Sequence, residues 1–411
     1  MKLNKYFPFA FIYFFINSLA LPFGLTYTAL LSPLLYYWVI VTRKKEILLP
    51  WLVGLSPFLI IHFINLVDTA TYITSLVNYT AVYIFCHAFY TFLNVSVQKE
   101  KIFRKLLIIN FIFCLIAVAA WFSPARELLW IQQSLANGVA NTTRLKLFTY
   151  ESSYYAVLFT PLFFFFLLQL VLKQNKMNSW LLLSMILLPY LLSFSIGVIA
   201  AVLFSLLLTT GLYGKTLLAK RRVLNLLAIG LSLSVAAFIV LLIFYPHNSF
   251  FIRIQDILSG KDTSGNGRTS EAFVLAGQIL QQKSAAWGIG PGQIKILGGD
   301  IIRSFYLYPL DYSNIAIPNA AAETLAIFGW MGLTLRILAE LFFFFYTRVW
   351  TNYYRLLLFL FIFLYQFTGS FITNIAEYVL WILAFTNAFP CFNIRGKLPA
   401  FTNSRQNIPA C

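Results

Sequence analysis

Apolar residues run along this chain in long stretches that short basic clusters separate. Stretches long enough for a bilayer core, which takes about 20 residues per helix, fall near 6–22, 25–41, 48–66, 71–93, 103–122 and 152–172. Others fall near 179–194, 196–213, 223–245, 319–346, 356–372 and 373–391. Between Lys176 and Lys215 the pattern reads either as two short helices breaking near Ser193-Phe194-Ser195 or as one helix with a re-entrant piece. Two helices are preferred, because the basic clusters on both sides then share a compartment.

The fold class expected from this pattern is an all-α polytopic membrane protein of about 12 transmembrane helices. A basic start (Lys2, Lys5) leads into an apolar run that a second run follows at once, which reads as a retained first helix. Arg43-Lys44-Lys45, then Lys99, Lys101, Arg104 and Lys105, then Lys173 and Lys176 occupy alternate short loops. Lys215, Lys220, Arg221, Arg222, Arg348 and Arg355 continue the alternation. With both termini inside, 20 of the 30 Lys and Arg are cytoplasmic, and nine lie outside, near 123–150 and 246–318. The expected organisation is helices 1–9 over 1–245, a large periplasmic loop over 246–318, helices 10–12 over 319–391 and a cytoplasmic tail over 392–411. The expected location is the bacterial inner (cytoplasmic) membrane. No internal repeat stands out, and the single long loop breaks any symmetry between halves.

Composition sharpens this picture. The chain is 60% hydrophobic and only 10% charged, against about 25% charged for a soluble domain, so lipid must replace water over much of its surface. Its net charge of +17 is spread in clusters between apolar runs, the positive-inside pattern, which argues against a nucleic-acid partner.

Polar chemistry concentrates in the outer segments. Glu151 opens an apolar stretch behind Arg144. It reads either as a carboxylate favoured by a helix start, with Ser152 or Ser153 as cap, or as a general base at the membrane edge. The long loop carries Arg253, Arg268 and Arg303, an amphipathic helix near 269–282, and the turn Gly288-Ile-Gly290-Pro-Gly292, whose amides are expected to approach a ligand. Guanidiniums pair bidentately with phosphate oxygens, so convergent arginines suit a pyrophosphate-linked lipid. Asn319 and Glu323 share a face at the start of the next stretch. Glu377 lies near the outer end of the last one, a costly carboxylate and a functional candidate on that ground. Arg336 and Glu340 read as a structural i,i+4 pair, and His62, His87 and His247 as core or boundary residues. No zinc motif, P-loop or cation-binding acid cluster is present in the sequence, so neither a metal nor another cofactor is expected.

At these residues the chain resembles the bacterial O-antigen ligase and polymerase superfamily, most closely its O-antigen and exopolysaccharide (colanic-acid-type) polymerases. Glu151-Ser-Ser-Tyr-Tyr-Ala is similar to the family's Glu-Pro-Ser-aromatic-aromatic-Ala, with Ser152 where proline is usual. Arg253 through Arg268 followed by Gly288–Gly292 resembles its loop arginines and glycine turn, and Phe367-Thr-Gly-Ser-Phe resembles a late segment of the colanic-acid-type members. The ligases' His-Asn pair reads Pro318-Asn319 here, which tilts the resemblance toward the polymerases.

The resemblance implies a glycosyltransferase C-like membrane fold with the large loop between helices 9 and 10. It also implies transfer of a growing glycan from undecaprenyl pyrophosphate to a lipid-linked repeat unit on the periplasmic side, without a metal. Glu151, Glu323 and Arg268 are the expected catalytic residues. Arg144, Arg253, Arg303, Gly290, Gly292, Asn319 and Glu377 are the expected pyrophosphate and substrate contacts. Lipid-linked oligosaccharides, membrane lipid and a chain-length regulator protein are the expected partners. A ligase of the same superfamily and a polysaccharide flippase or other transporter are the competing readings; a transporter should carry ionisable groups at mid-membrane.

Overall fold

The computed structural model describes residues 5–19, 21, 25–134, 141–172, 174, 177–218, 263–306 and 316–394. It is mostly helical. In chain order the helices are α1 (Phe7–Phe11, running on as a π-turn to Ile16), α2 (Tyr27–Leu30), α3 (Ser32–Arg43), α4 (Leu48–Ile64), α5 (Thr69–Val95), α6 (Lys99–Ala120) and α7 (Arg126–Leu129). After a hairpin of β1 (Trp130–Ser134) and β2 (Asn141–Leu145) come α8 (Ser152–Val171), α9 (Ser179–Ser193) and α10 (Ile196–Leu218). Then follow α11 (Thr263–Arg268), α12 (Ser270–Leu280), α13 (Ile294–Leu297), α14 (Gly299–Tyr306), α15 (Ala320–Tyr346), α16 (Tyr353–Tyr365) and α17 (Ile375–Phe385).

Five of these helices are long and apolar enough to cross a membrane, or six if α3 and α4, bent by 120° at their junction, count as one span. The expected stretches at 71–93, 103–122, 152–172, 196–213 and 319–346 each coincide with one long helix. The break expected at Ser193-Phe194-Ser195 is present, with Phe194 in the left-handed region at φ 45°. Other stretches are cut short: that at 356–372 ends its helix at Tyr365, and that at 373–391 is helical only over Ile375–Phe385. The stretch at 223–245 lies outside the described residues, as does Arg253.

One element departs from the all-α expectation. β1 and β2 pair antiparallel, with Trp130 opposite Leu145. Their sequences, Trp-Ile-Gln-Gln-Ser and Asn-Thr-Thr-Arg-Leu, do not alternate apolar and polar residues, so no period-2 signal marks them as strands. Trp130 anchors the hairpin by donating Nε1–H to the Ala117 carbonyl at 2.8 Å and packing edge-on against Trp121.

The chain forms two compact units. The first comprises the described residues within 5–99, 266–349 and 362–388. In it α12 lays Ala272, Leu275, Ala276 and Ile279 against Ala321, Ala322, Leu325 and Ala326 of α15, all buried. The small side chains let the two helices approach closely. The second unit comprises the described residues within 100–265, 350–361 and 389–394. Its centre is α8, apolar on every face and 89% buried along its most apolar stretch, as a helix enclosed by others must be.

Candidate functional site

The start of α15 in the first unit gathers several of the polar residues singled out by sequence. Asn319, fully buried, caps the helix by accepting the Ala322 amide on Oδ1 at 2.8 Å. Its Nδ2 donates to the carbonyls of Arg268 and Phe367, both at 2.7 Å. The next amides are also taken: Ala320 N–H donates to Gly369 O and Ala321 N–H to Gln366 O, each at 3.1 Å. The usual orphan donors of a helix start are therefore spent on the chain itself, joining α11 and the 366–372 segment to α15.

Glu323 follows one turn on, its amide bonded to Asn319 O at 2.8 Å. Its carboxylate accepts the Ile372 amide on Oε2 at 2.8 Å. The side chain is half-buried, and Oε1 has no hydrogen-bond partner among the described residues. Arg268 ends α11 with its carbonyl held by Asn319, while its guanidinium makes no hydrogen bond or ion pair among the described residues. A carboxylate with one oxygen to spare and an uncommitted guanidinium thus flank the same asparagine.

Further along α15 lies a closed charge network. Arg336 donates from Nε to Gln366 Oε1 at 2.8 Å and to Glu340 Oε1 at 3.1 Å, from Nη1 to Thr324 Oγ1 at 3.0 Å, and from Nη2 to Glu377 Oε1. Gln366 returns Nε2–H to Glu340 Oε2 at 2.7 Å, and Ser370 donates its hydroxyl to Glu377 Oε2 at 2.5 Å. Both carboxylates are buried with all four oxygens occupied. Glu377, an expected substrate contact, has both carboxylate oxygens bonded within the chain. Arg336–Glu340 is the pair read from sequence, but Gln366, Ser370 and Thr324 were missed. Their signal was available: a glutamine inside an apolar stretch needs a partner.

The glycine turn also serves the fold. α15 is interrupted at Gly329, whose φ is +66°, and the residues 285–290 mend the gap. Ile289 and Gly290 donate to the carbonyls of Ala326 and Ile327 at 3.0 and 2.9 Å, and Trp330 and Met331 donate to those of Ala285 and Ala286 at 3.1 and 3.0 Å. A Cβ on Gly288 would stand 2.3 Å from Ile327 O, and one on Gly329 the same distance from Ala286 O. The Gly290 amide, expected to approach a ligand, is thus occupied, and Gly292 lies against Thr71 and Ser75. His62, fully buried, steadies the turn by donating Nε2–H to Trp287 O at 2.8 Å while Nδ1 accepts the Tyr72 hydroxyl at 3.0 Å.

The remaining candidates are dispersed. Arg303 pairs with exposed Asp300 at 2.7 Å within α14, leaving its buried Nε without a partner. In the second unit, buried Arg144 donates Nε–H to Ser193 O at 3.2 Å, a cation on a helix C-terminus. Glu151 stands at the N-cap of α8 without making a cap bond, and half-buried. Among the described residues no three His, Cys, Asp or Glu side chains converge to hold a metal ion. Beside α15, a half-open pocket of about 510 Å³ is lined mainly by apolar side chains, including Phe273, Leu280, Leu325 and Trp330, with Gln281 and Lys283 among its polar members. No model of a known protein family matches this chain, and no curated protein matches it.

Proposed function

We propose that this chain is an inner-membrane polymerase of surface polysaccharide, with about a dozen helices and the 246–318 segment facing the periplasm. It transfers a growing glycan from undecaprenyl pyrophosphate to a lipid-linked repeat unit. The observation that carries the reading is the pairing at the start of α15: Glu323 with one carboxylate oxygen unengaged, and Arg268 with its guanidinium uncommitted, both tied to Asn319.

In this reading Glu323 takes the proton of the acceptor hydroxyl as its oxygen attacks the anomeric carbon of the donor sugar. The bond from that carbon to the pyrophosphate oxygen breaks, and the electron pair leaves with the pyrophosphate. Arg268 stabilises the charge that develops there. The amides at the start of α15 are already used, so side chains must do this work. The half-open apolar pocket beside α15 suits a hydrocarbon chain. Glu151 is the second candidate base, since its carboxylate too is without a partner among the described residues. Proline at 318, where the ligases carry histidine, favours polymerase over ligase.

Deleting the gene and running the surface polysaccharide on a gel tests the class. Loss of a polymerase leaves single repeats attached, loss of a ligase leaves long carrier-linked chains, and normal long attached chains refute both. Glu323→Gln and Arg268→Ala, expressed at wild-type level, should each give single repeats. Full chain length in either removes that residue from the reaction, and Glu151→Gln shows which carboxylate is the base.

A further inference from the structure

We propose that Arg336 is a positioning residue for Glu323: through Gln366 and Glu377 it holds the 366–372 segment where the Ile372 amide can grip the Glu323 carboxylate. This rests on the reading of Glu323 as the base.

Among the described residues, the Glu323 side chain has one hydrogen bond, and Ile372 supplies it. Whatever fixes Ile372 therefore fixes the direction of the free carboxylate oxygen. Ile372 lies between α16 and α17 in a stretch with no helix of its own to hold it. Its near end is tied by Gln366 O and Gly369 O to the first amides of α15. Just before Ile372 it passes through Ser370, a non-glycine residue at φ +67°, a conformation that persists only when the surroundings impose it. Those surroundings are Glu377, which accepts the Ser370 hydroxyl, and Asn374, which donates to it at 3.0 Å. Tyr378 adds a hydroxyl bond to Ile372 O at 2.6 Å.

Arg336 reaches this segment at two points, Gln366 directly and Ser370 by way of Glu377. Its Nε holds the Gln366 side chain and its Nη2 holds Glu377, while Nη1 reaches Thr324, the neighbour of Glu323. One rigid guanidinium fork thus spans the segment and the turn of α15 that carries the base, a geometry that an ammonium on a flexible stem reproduces only in part.

The test uses the full-length chain in lipid vesicles and undecaprenyl-pyrophosphate-linked repeat units extracted from the deletion strain. Arg336→Met should lower kcat about 100-fold, the scale of a small misplacement of a reacting group, with KM little changed, and Arg336→Lys should recover part of the loss. Residues acting as a unit are non-additive, so Arg336→Met should cost nothing further in a Glu323→Gln background. An equal cost in both backgrounds overturns the positioning role while leaving Glu323 as base. A fully active Glu323→Gln protein overturns both. If Arg336→Met does not accumulate, Ser370→Ala takes its place: a loss of kcat seen only when Glu323 is present supports the proposal, and one seen in both backgrounds refutes it.

Discussion

Arg336 and Thr324 share a hydrogen bond of 3.0 Å although twelve positions separate them on α15. On an unbroken helix twelve residues rise about 18 Å, well beyond the reach of an arginine side chain. The interruption at Gly329 brings them together, and the buried network depends on it.

Gly329→Ala should therefore be among the most damaging single substitutions in the chain. The new Cβ would meet Ala286 O at 2.3 Å and occupy a backbone at φ +66°. The expected cost is at least ~2 kcal/mol, read as a lowered melting temperature in detergent. Gly288→Ala should behave alike. Gly277→Ala, where a Cβ meets nothing within 4 Å, should be neutral or stabilising by up to ~1 kcal/mol.

Removing one partner of a buried ion pair strands the other. Arg336→Met should cost ~3–5 kcal/mol, measured by reversible denaturation in mixed micelles. Glu323→Gln should cost less than ~1 kcal/mol, since the amide oxygen still accepts from Ile372 N–H. A larger loss in Glu323→Gln would mean that the carboxylate serves stability and would confound its use as a probe of activity.

The hydrogen bonds of His62 fix its tautomer. A carbonyl can only accept, so Nε2 must carry the proton toward Trp287 O. Nitrogen chemical shifts of labelled histidine should show a neutral ring protonated at Nε2. Tyr72→Phe, which removes the donor to Nδ1, should lower stability by about 0.5–1.5 kcal/mol.

Asp68 caps α5, and its carboxylate is held below the ordinary value by the Thr71 amide first and the Thr71 hydroxyl second. A depressed carboxylate contributes stability that is complete above its unfolded pKa and is lost as pH falls through the folded one. The melting temperature of the wild type should fall across that acid window. Asp68→Asn, which keeps a capping oxygen without a charge, should flatten that part of the profile. An unchanged profile would show that the charge of the cap adds nothing.

Sequence pattern located the long spans because apolar length is a local property. The stretches at 71–93 and 319–346 fall within two residues of Thr69–Val95 and Ala320–Tyr346. Pattern missed where spans stop. Residues 366–372, Gln-Phe-Thr-Gly-Ser-Phe-Ile, run irregularly because Asn319, Glu323 and the first amides of α15 take up their backbone groups. The site was legible in the same proportion. Asn319 and Glu323 share a helix face and could be paired from spacing alone. The capture of Glu377 by Arg336 spans 41 positions, and no local rule reports a contact of that separation. The glycine turn stands out in the sequence, but its packing against Gly329, 41 residues beyond Gly288, does not.

The seam between residues 285–290 and the gap in α15 also bears on how the chain is made. A helix interrupted in hydrocarbon must have its freed amides and carbonyls returned to it, and here the returning segment is synthesised first. Residues 285–290 leave the ribosome before Gly329 does, so the mending segment already exists when α15 forms. Nascent chains truncated after α15 should thus already contain the interruption, whereas chains lacking 285–290 should form α15 as one straight rod.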